Sequence, residues 1–167
     1  MPNNNLAEKE FESLFEQYSD SIFRHCLFKV SHRETALDIM QETFKRVWLK
    51  IIEGEKLDNQ KAFCFRIANN LIIDFYRKSK AISLDSLEVE PAVEKGELNP
   101  SEQADLQIAI ETIKSLGERY REAVLLRYVE GFSVKEIAEI SGESENVISV
   151  RINRGLSKVK EIINPEV

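Results

Sequence analysis

The sequence predicts an all-α protein: two small helical domains joined by a flexible acidic linker, the second containing a helix-turn-helix. Three observations carry this expectation. Apolar residues recur at helical spacing through most of the 167 residues, with only six Gly and four Pro in the whole chain. Residues 79–105 break that texture and hold 2 Lys/Arg against 7 Asp/Glu. Toward the C-terminus, a short amphipathic stretch, a turn containing Gly and a longer amphipathic stretch follow one another, which is the layout of a helix-turn-helix.

The first helix is expected from Glu8 to Val30. Phe11, Leu14, Phe15, Tyr18, Ile22, Phe23, Cys26, Leu27 and Val30 keep a nearly helical period, with a break near Ser19-Asp20. Ser31-His32-Arg33-Glu34 reads as a capping box that starts a second helix running to about Ile52. Leu37, Met40, Phe44, Val47, Trp48 and Ile51 form its expected buried stripe. Asp38, Gln41, Glu42 and Lys45 fall at i, i+3, i+4 and i+7 and form a polar stripe, which a solvated face explains as well as a docking surface does. Gly54 ends this helix, and Glu55 to Gln60 is a short polar loop.

The third helix begins near Asp58 or Asn59 and carries the stretch Arg66 to Lys78. Phe63, Ile67, Leu71 and Phe75 stack along the side expected to face a core. Arg66, Asn70, Asp74 and Arg77 share a different side, flanked by Asn69 and Tyr76. Guanidinium groups, amides, a carboxylate and an aromatic ring on one face can hold phosphates, hydrogen-bond base edges and stack on unpaired bases. An amphipathic helix in which Asp74 pairs with Asn70 and Arg77 accounts for the same residues, and the helix alone does not separate the two readings.

From Lys80 to Ser101 the chain has Pro91, Pro100 and many carboxylates without a sustained period, so residues 81–101 read as a mobile linker between domains at 1–80 and 102–167. Ala104, Ile108, Ile110, Ile113 and Leu116 then mark a helix ended by Gly117. Tyr120, Val124, Leu125 and Tyr128 mark another ended by Gly131. Ser133 to Glu136 is a second capping box, starting a short helix through Ile137, Ala138 and Ile140. After the turn Ser141-Gly142-Glu143-Ser144 a last helix reaches about Ile163. Its inner stripe is expected to be Ile148, Ile152, Leu156, Val159 and Ile163. Val147, Arg151, Arg154 and Lys158 lie opposite, where cations can reach phosphates and guanine edges in a major groove. Placement near a helix C-terminus also accounts for Lys158, but poorly for Arg151.

Composition narrows the function classes. Cys26 and Cys64 fit no paired motif and read as reduced core residues. His25 and His32 have no cluster around them that completes a metal site. There is no Gly-rich phosphate loop, nucleophile elbow or catalytic triad, so the expectation is a protein without enzymatic activity or cofactor. No apolar run is long enough to span a bilayer, and the first residues lack the pattern of a signal peptide, so a cytoplasmic location without membrane insertion is the default. The net charge of −6 argues against a DNA-binding protein acting alone, although residues 1–78 are balanced at 12 Lys/Arg and 12 Asp/Glu.

Three blocks of the chain resemble one family in order and spacing. Asp38-Ile39-Met40-Gln41-Glu42-Thr43-Phe44-Lys45-Arg46-Val47-Trp48 closely resembles the core-polymerase-binding motif of bacterial RNA polymerase sigma factors, and the small extracytoplasmic-function type is the best match. Arg66 to Lys78 resembles that family's promoter-melting helix. Tyr120 to Tyr128, with Phe132 to Ala138, resembles its C-terminal domain. The resemblance implies that Asp38, Gln41, Glu42 and Lys45 dock on core polymerase. It implies that Arg66, Asn69, Asn70, Asp74, Tyr76, Arg77 and Lys78 meet the −10 element, chiefly as single strand. The loop Glu55, Lys56, Leu57, Asp58, Asn59, Gln60 and Lys61 would tune that specificity. Ser133, Lys135, Val147, Val150, Arg151, Arg154 and Lys158 would meet the −35 element as duplex.

An anti-sigma protein is implied as a further partner. Asn69 stands where relatives often have Arg, and Ser149, Val147 and Val150 replace frequent polar residues, which leaves the −35 preference open. The alternative reading is an autonomous helix-turn-helix transcription regulator.

Overall fold

The computed structural model describes residues 4–79 and 99–165. These form seven helices, and among the described residues there is no strand. The helices fall into two compact units, α1–α3 and α4–α7.

In the first unit α1 (Asn4–Val30), α2 (Arg33–Ile52) and α3 (Gln60–Ser79) all pack on one another. Helix α1 is continuous through Ser19 and Asp20, where a break is expected from sequence. Burial of Ala7, Leu14, Ile22, Cys26 and Val30 along its length outweighs the weak local turn preference of those two residues. Its N-terminal half meets α2 through aromatic rings: Phe15 lies 4.9 Å from Phe44, and Phe11 lies 5.4 Å from Trp48, both edge-on.

The cap of α2 also differs from the expected one. Ser31 takes φ 55°, the left-handed region, and cannot cap. His32 does so instead, its extended backbone placing Nδ1 to accept from the Thr35 amide at 3.3 Å. Phe44, Val47 and Ile51 are buried as expected. Leu37, Met40 and Trp48 are only half-buried, and Ala36, Ile39 and Thr43 fill the centre instead.

Helix α3 is capped by Asn59, whose Oδ1 accepts from the Ala62 amide at 3.1 Å. Its buried residues are Ala62, Cys64, Phe65, Ala68, Asn69 and Ile72. The stripe Phe63, Ile67, Leu71 and Phe75 is half-buried, so the helix is turned by roughly a third of a turn from the sequence-based expectation. Small residues at Ala62 and Ala68 permit the close approach that packing on both α1 and α2 requires. Cys26 and Cys64 are free and buried, and desolvation pushes both thiols up to about 12.

The linker expected at 81–101 lies outside the described residues as far as 98. Its last three residues belong to the second unit: Asn99 caps α4 (Pro100–Ser115) in a full capping box with Glu102, and Pro100 occupies the first turn, where a missing N–H costs nothing. Most of α4 is exposed. Only Thr112 is buried, and Ile108, expected inside, is 57% exposed.

Helix α5 (Glu118–Val124) continues into one π-helical turn, Leu125–Val129, closed by the Glu130 amide on the Leu125 carbonyl at 3.1 Å. The wider turn holds an extra residue and shifts the facing of the side chains after it. Leu126 is therefore buried, while Tyr128, expected inside, is 58% exposed.

Helices α6 (Val134–Ser141) and α7 (Glu145–Ile163) form the helix-turn-helix. Ser133 and Glu136 make the expected capping box, Gly142 turns at φ 69°, and Ser144 caps α7. Ile148 and Ile152 are buried, Leu156 and Val159 are half-buried, and Ile163 is exposed because α7 outruns its supports. Gly155 is buried where α7 crosses α5: a Cβ there would lie 2.7 Å from Val124 Cγ2.

Two outcomes test this packing. Gly155→Ala should lower the stability of the second unit by about 1–3 kcal/mol in denaturant melts, because Val124 must move. His25 is buried and desolvation holds it down to about 3 from 6.5, so the folded state stays neutral while the unfolded state protonates below 6.5. Stability present above pH 6.5 should therefore fall as pH drops toward 3, by roughly 1 kcal/mol at pH 5.5. His25→Gln should flatten that slope between pH 7.5 and 5.5. Equal slopes in the two proteins would refute the assignment.

Candidate nucleic-acid interface

The polar stripe of α2 faces solvent. Asp38, Gln41 and Lys45 are exposed, and Glu42 is half-buried with its carboxylate 3.1 Å from Arg46 Nε. An i, i+4 pair of this kind contributes little to stability and is easily exchanged for an outside partner. The row results from α2 burying the opposite side against α1 and α3.

On α3 the structure divides the expected set. Arg66, Asn70, Arg77 and Lys78 are exposed, and Asp74 is half-buried, 3.9 Å from Arg77 Nη1. The Arg66 guanidinium sits 5.7 Å above the Phe63 ring, a cation–π contact within the helix. Asn69 is not on this face. It is 3% exposed, and its Oδ1 accepts from Lys29 Nζ at 3.3 Å. Tyr76 is half-buried and its hydroxyl donates to the Lys29 carbonyl. Sequence periodicity missed this because Asn69 and Asn70 are alike in chemistry, and only packing tells which is inside.

The loop between α2 and α3 is anchored at both ends. Glu55 pairs with Lys50 at 3.1 Å, Asn59 caps α3, and Gln60 Nε2 donates to Glu10 Oε1 at 3.3 Å. Leu57 and Lys61 are half-buried. Lys56 and Asp58 project into solvent and are the loop's freest side chains for a nucleotide contact.

On the helix-turn-helix, Val147, Val150 and Arg154 are exposed along one side of α7. Arg151 is more constrained than expected: its side chain is 15% exposed and lies 3.1 Å from Glu143 Oε1 in the turn. Lys158 Nζ sits 4.5 Å over the Tyr120 ring, so its ammonium is shared with α5. The Ser133 hydroxyl is committed to the Glu136 amide, whereas Lys135 is exposed.

A cleft of about 660 Å³ runs between the start of α5 and α7, lined by Gly117, Glu118, Arg119, Tyr120, Asn146, Val147, Val150, Arg151 and Arg154. Arg119 and Asn146 were not singled out from sequence. Asn146, in the first turn of a recognition-type helix, is the position that layout could have flagged.

The first unit thus offers two exposed polar rows on adjoining helices, and the second a basic-apolar helix face. Among the described residues no group of three His, Cys, Asp or Glu could hold a metal ion, and no helix is long and apolar enough to cross a membrane.

Comparison with known proteins agrees with this layout. The Sigma-70 region 2 family matches residues 14–82 and the Sigma-70 region 4 family matches residues 106–159. The chain is 31% identical to RNA polymerase sigma factor SigZ of Bacillus subtilis over 157 residues, 91% of this chain and 86% of that protein. It is 29% identical to RNA polymerase sigma factor SigV of the same organism over 143 residues, 86% and 84% of the two chains. Among solved structures, the sigma factor RpoE of Bartonella quintana, crystallised with the anti-sigma factor NepR, matches with a TM-score of 0.71 at 25% identity, covering 95% of this chain and 99% of that one. CnrH, solved with the cytosolic domain of CnrY, shares the fold at a TM-score of 0.64 and 19% identity, covering 96% and 91%. With both sigma-70 regions matched in order and a relative at 31% identity along most of both chains, the chain belongs to the RNA polymerase sigma factors of the extracytoplasmic-function type, which direct promoter-specific transcription.

Proposed function

We propose that the chain is a promoter-specificity subunit whose three exposed faces divide the work, with residues 1–80 serving core binding and −10 opening and residues 102–167 serving −35 recognition. Asp38, Gln41, Glu42 and Lys45 dock on core RNA polymerase. Arg66, Asn70, Asp74, Arg77 and Lys78 capture the −10 element as its strands separate, with Lys56 and Asp58 of the loop beside them. Val147, Val150 and Arg154 meet the −35 duplex, supported by Lys135, Arg151 and Lys158. The chain supplies sequence choice and strand opening, performs no bond chemistry of its own, and works in the cytoplasm. The observation that carries this reading is the pair of exposed rows on α2 and α3, since an autonomous regulator has no use for both.

Energetically, unpairing costs a few kcal/mol for each flipped base, and stacking or hydrogen bonding to an exposed base offsets about 1–3 kcal/mol. Opening therefore becomes favourable only where the sequence fits the face. Arg66 and Arg77 offer planar guanidinium groups for stacking, and Asn70 offers an amide for a base edge. Val147 and Val150 suit thymine methyls, whereas Arg154 suits a phosphate or guanine. Core polymerase supplies the electrostatic grip that a chain of net charge −6 lacks. The anti-sigma factor bound to the Bartonella relative supports a partner of the same kind here, one that covers the docking faces until released.

Two measurements test the division. Gln41→Ala with Glu42→Ala should abolish co-purification with core polymerase while leaving the fold intact by circular dichroism. Unaltered co-purification would remove α2 from the interface. On promoters selected by in vitro transcription with purified core, Asn70→Ala should reduce permanganate reactivity of the −10 element about tenfold or more, the scale of one lost base contact. Core affinity should not change, and normal melting by this variant would take the −10 role away from the α3 face.

A further inference from the structure

The contact between α1 and α3 contains polar groups that packing alone does not require. Helix α3 has two faces capable of burial. One is the bulky stripe Phe63, Ile67, Leu71 and Phe75, and the other is the smaller set Ala62, Phe65, Ala68 and Ile72, which is the one inside. Hydrophobicity alone favours the bulky stripe. Asn69 and Asn70 sharpen the ambiguity, because rotation by one residue, about 100°, exchanges two identical amides between core and solvent.

One residue of α1 reads the difference. The Lys29 carbonyl accepts the Tyr76 hydroxyl, and the Lys29 ammonium donates to Asn69 Oδ1 at 3.3 Å. Asn69 and Tyr76 are seven residues apart, about two helical turns, and lie on one side of α3. A single residue thus grips α3 at two levels, which opposes rotation about the axis as well as sliding along it. His25, one turn earlier on α1, is buried beside the same contact with its ring 5.2 Å from Phe65. If α3 turned, Asn69 would leave, and the half-buried Lys29 ammonium would face carbon. Leaving a half-buried ammonium without a partner is costly, so the wrong register is disfavoured more strongly than the right one is rewarded.

We propose that Lys29 is a register pin for α3: acting through Tyr76 and Asn69, it sets which side of the helix is presented to the opened strand. Asn69 and Tyr76 are then positioning residues for promoter melting, not contacts to DNA. This rests on the reading of α3 as the strand-capturing helix.

The test places a reporter cysteine at the solvent-facing amide, Asn70→Cys, in the full chain. Cys26 and Cys64 are buried with poorly ionised thiols, so a maleimide at neutral pH reads position 70. Tyr76→Phe keeps the ring and deletes the hydroxyl, and Lys29→Met deletes the ammonium. Combined, they should slow labelling at position 70 by about threefold or more, the scale of one or two lost hydrogen bonds, while Cys26 and Cys64 stay unlabelled. With Asn70 restored and the protein reconstituted with core polymerase, the same two substitutions should reduce permanganate reactivity of the −10 element to a similar degree without changing core affinity. Unchanged labelling at position 70 overturns the pin. Faster labelling of Cys26 and Cys64 shows general loosening and overturns it as well. Slower labelling with undiminished melting overturns the positioning role. A native chain that opens no promoter with core refutes the reading of α3 instead, while the labelling result still decides the pin.

Discussion

The seating of α3 against α1 is the constraint on which the first unit depends. A helix with apolar residues on two sides and asparagines on neighbouring positions can be buried in more than one rotation. Once Asn69 and Tyr76 are tied to Lys29, every other side chain of α3 has its place. Arg66, Asn70 and Arg77 face outward, and Phe65, Ala68 and Ile72 close the core. The polar contact adds little net stability, because hydrogen bonds exchanged with water rarely do. What it adds is discrimination between packings of similar apolar area.

The second unit solves a related problem with shape. Gly155 allows α7 to lie close on Val124 and Tyr120, and that approach fixes which residues of α7 remain outside. Two basic residues then serve the unit as well as any ligand: Arg151 reaches back to Glu143 in the turn, and Lys158 rests on Tyr120. Arg154 is under neither constraint and stays exposed. The result is a helix face whose cations are graded from tied to available.

The acidity of the chain is consistent with that logic. Its excess of carboxylates concentrates in residues 79–105, while residues 1–78 are balanced. A protein of this charge gains little from nonspecific attraction to a polyanion. Specificity then depends on local faces, each presented by a helix whose other side is buried, and on a partner that brings those faces to DNA.

Much of this was legible in the sequence, and the features that were not have two physical causes. Helix periodicity, the capping box at Ser133 and Glu136, the turn at Gly142 and the exposed row on α2 depend on neighbours within one or two turns, which a one-dimensional pattern records. The resemblance to sigma factors rested on such local blocks and is matched by both sigma-70 regions. The misreadings fall where a distant element decides or where the backbone departs from a regular helix. The Ser19-Asp20 break vanished because two helices pack along α1. The cap moved from Ser31 to His32 because Ser31 turns at positive φ. Tyr128 left the core when a π-helical turn took up an extra residue. Asn69 moved inside because Lys29, 40 residues earlier in the chain, supplies its partner. The sequence by itself determined which segments are helical and what chemistry each carries; only the tertiary structure decided which side of each helix is turned outward, because burial is settled by what the other helices bring to the contact.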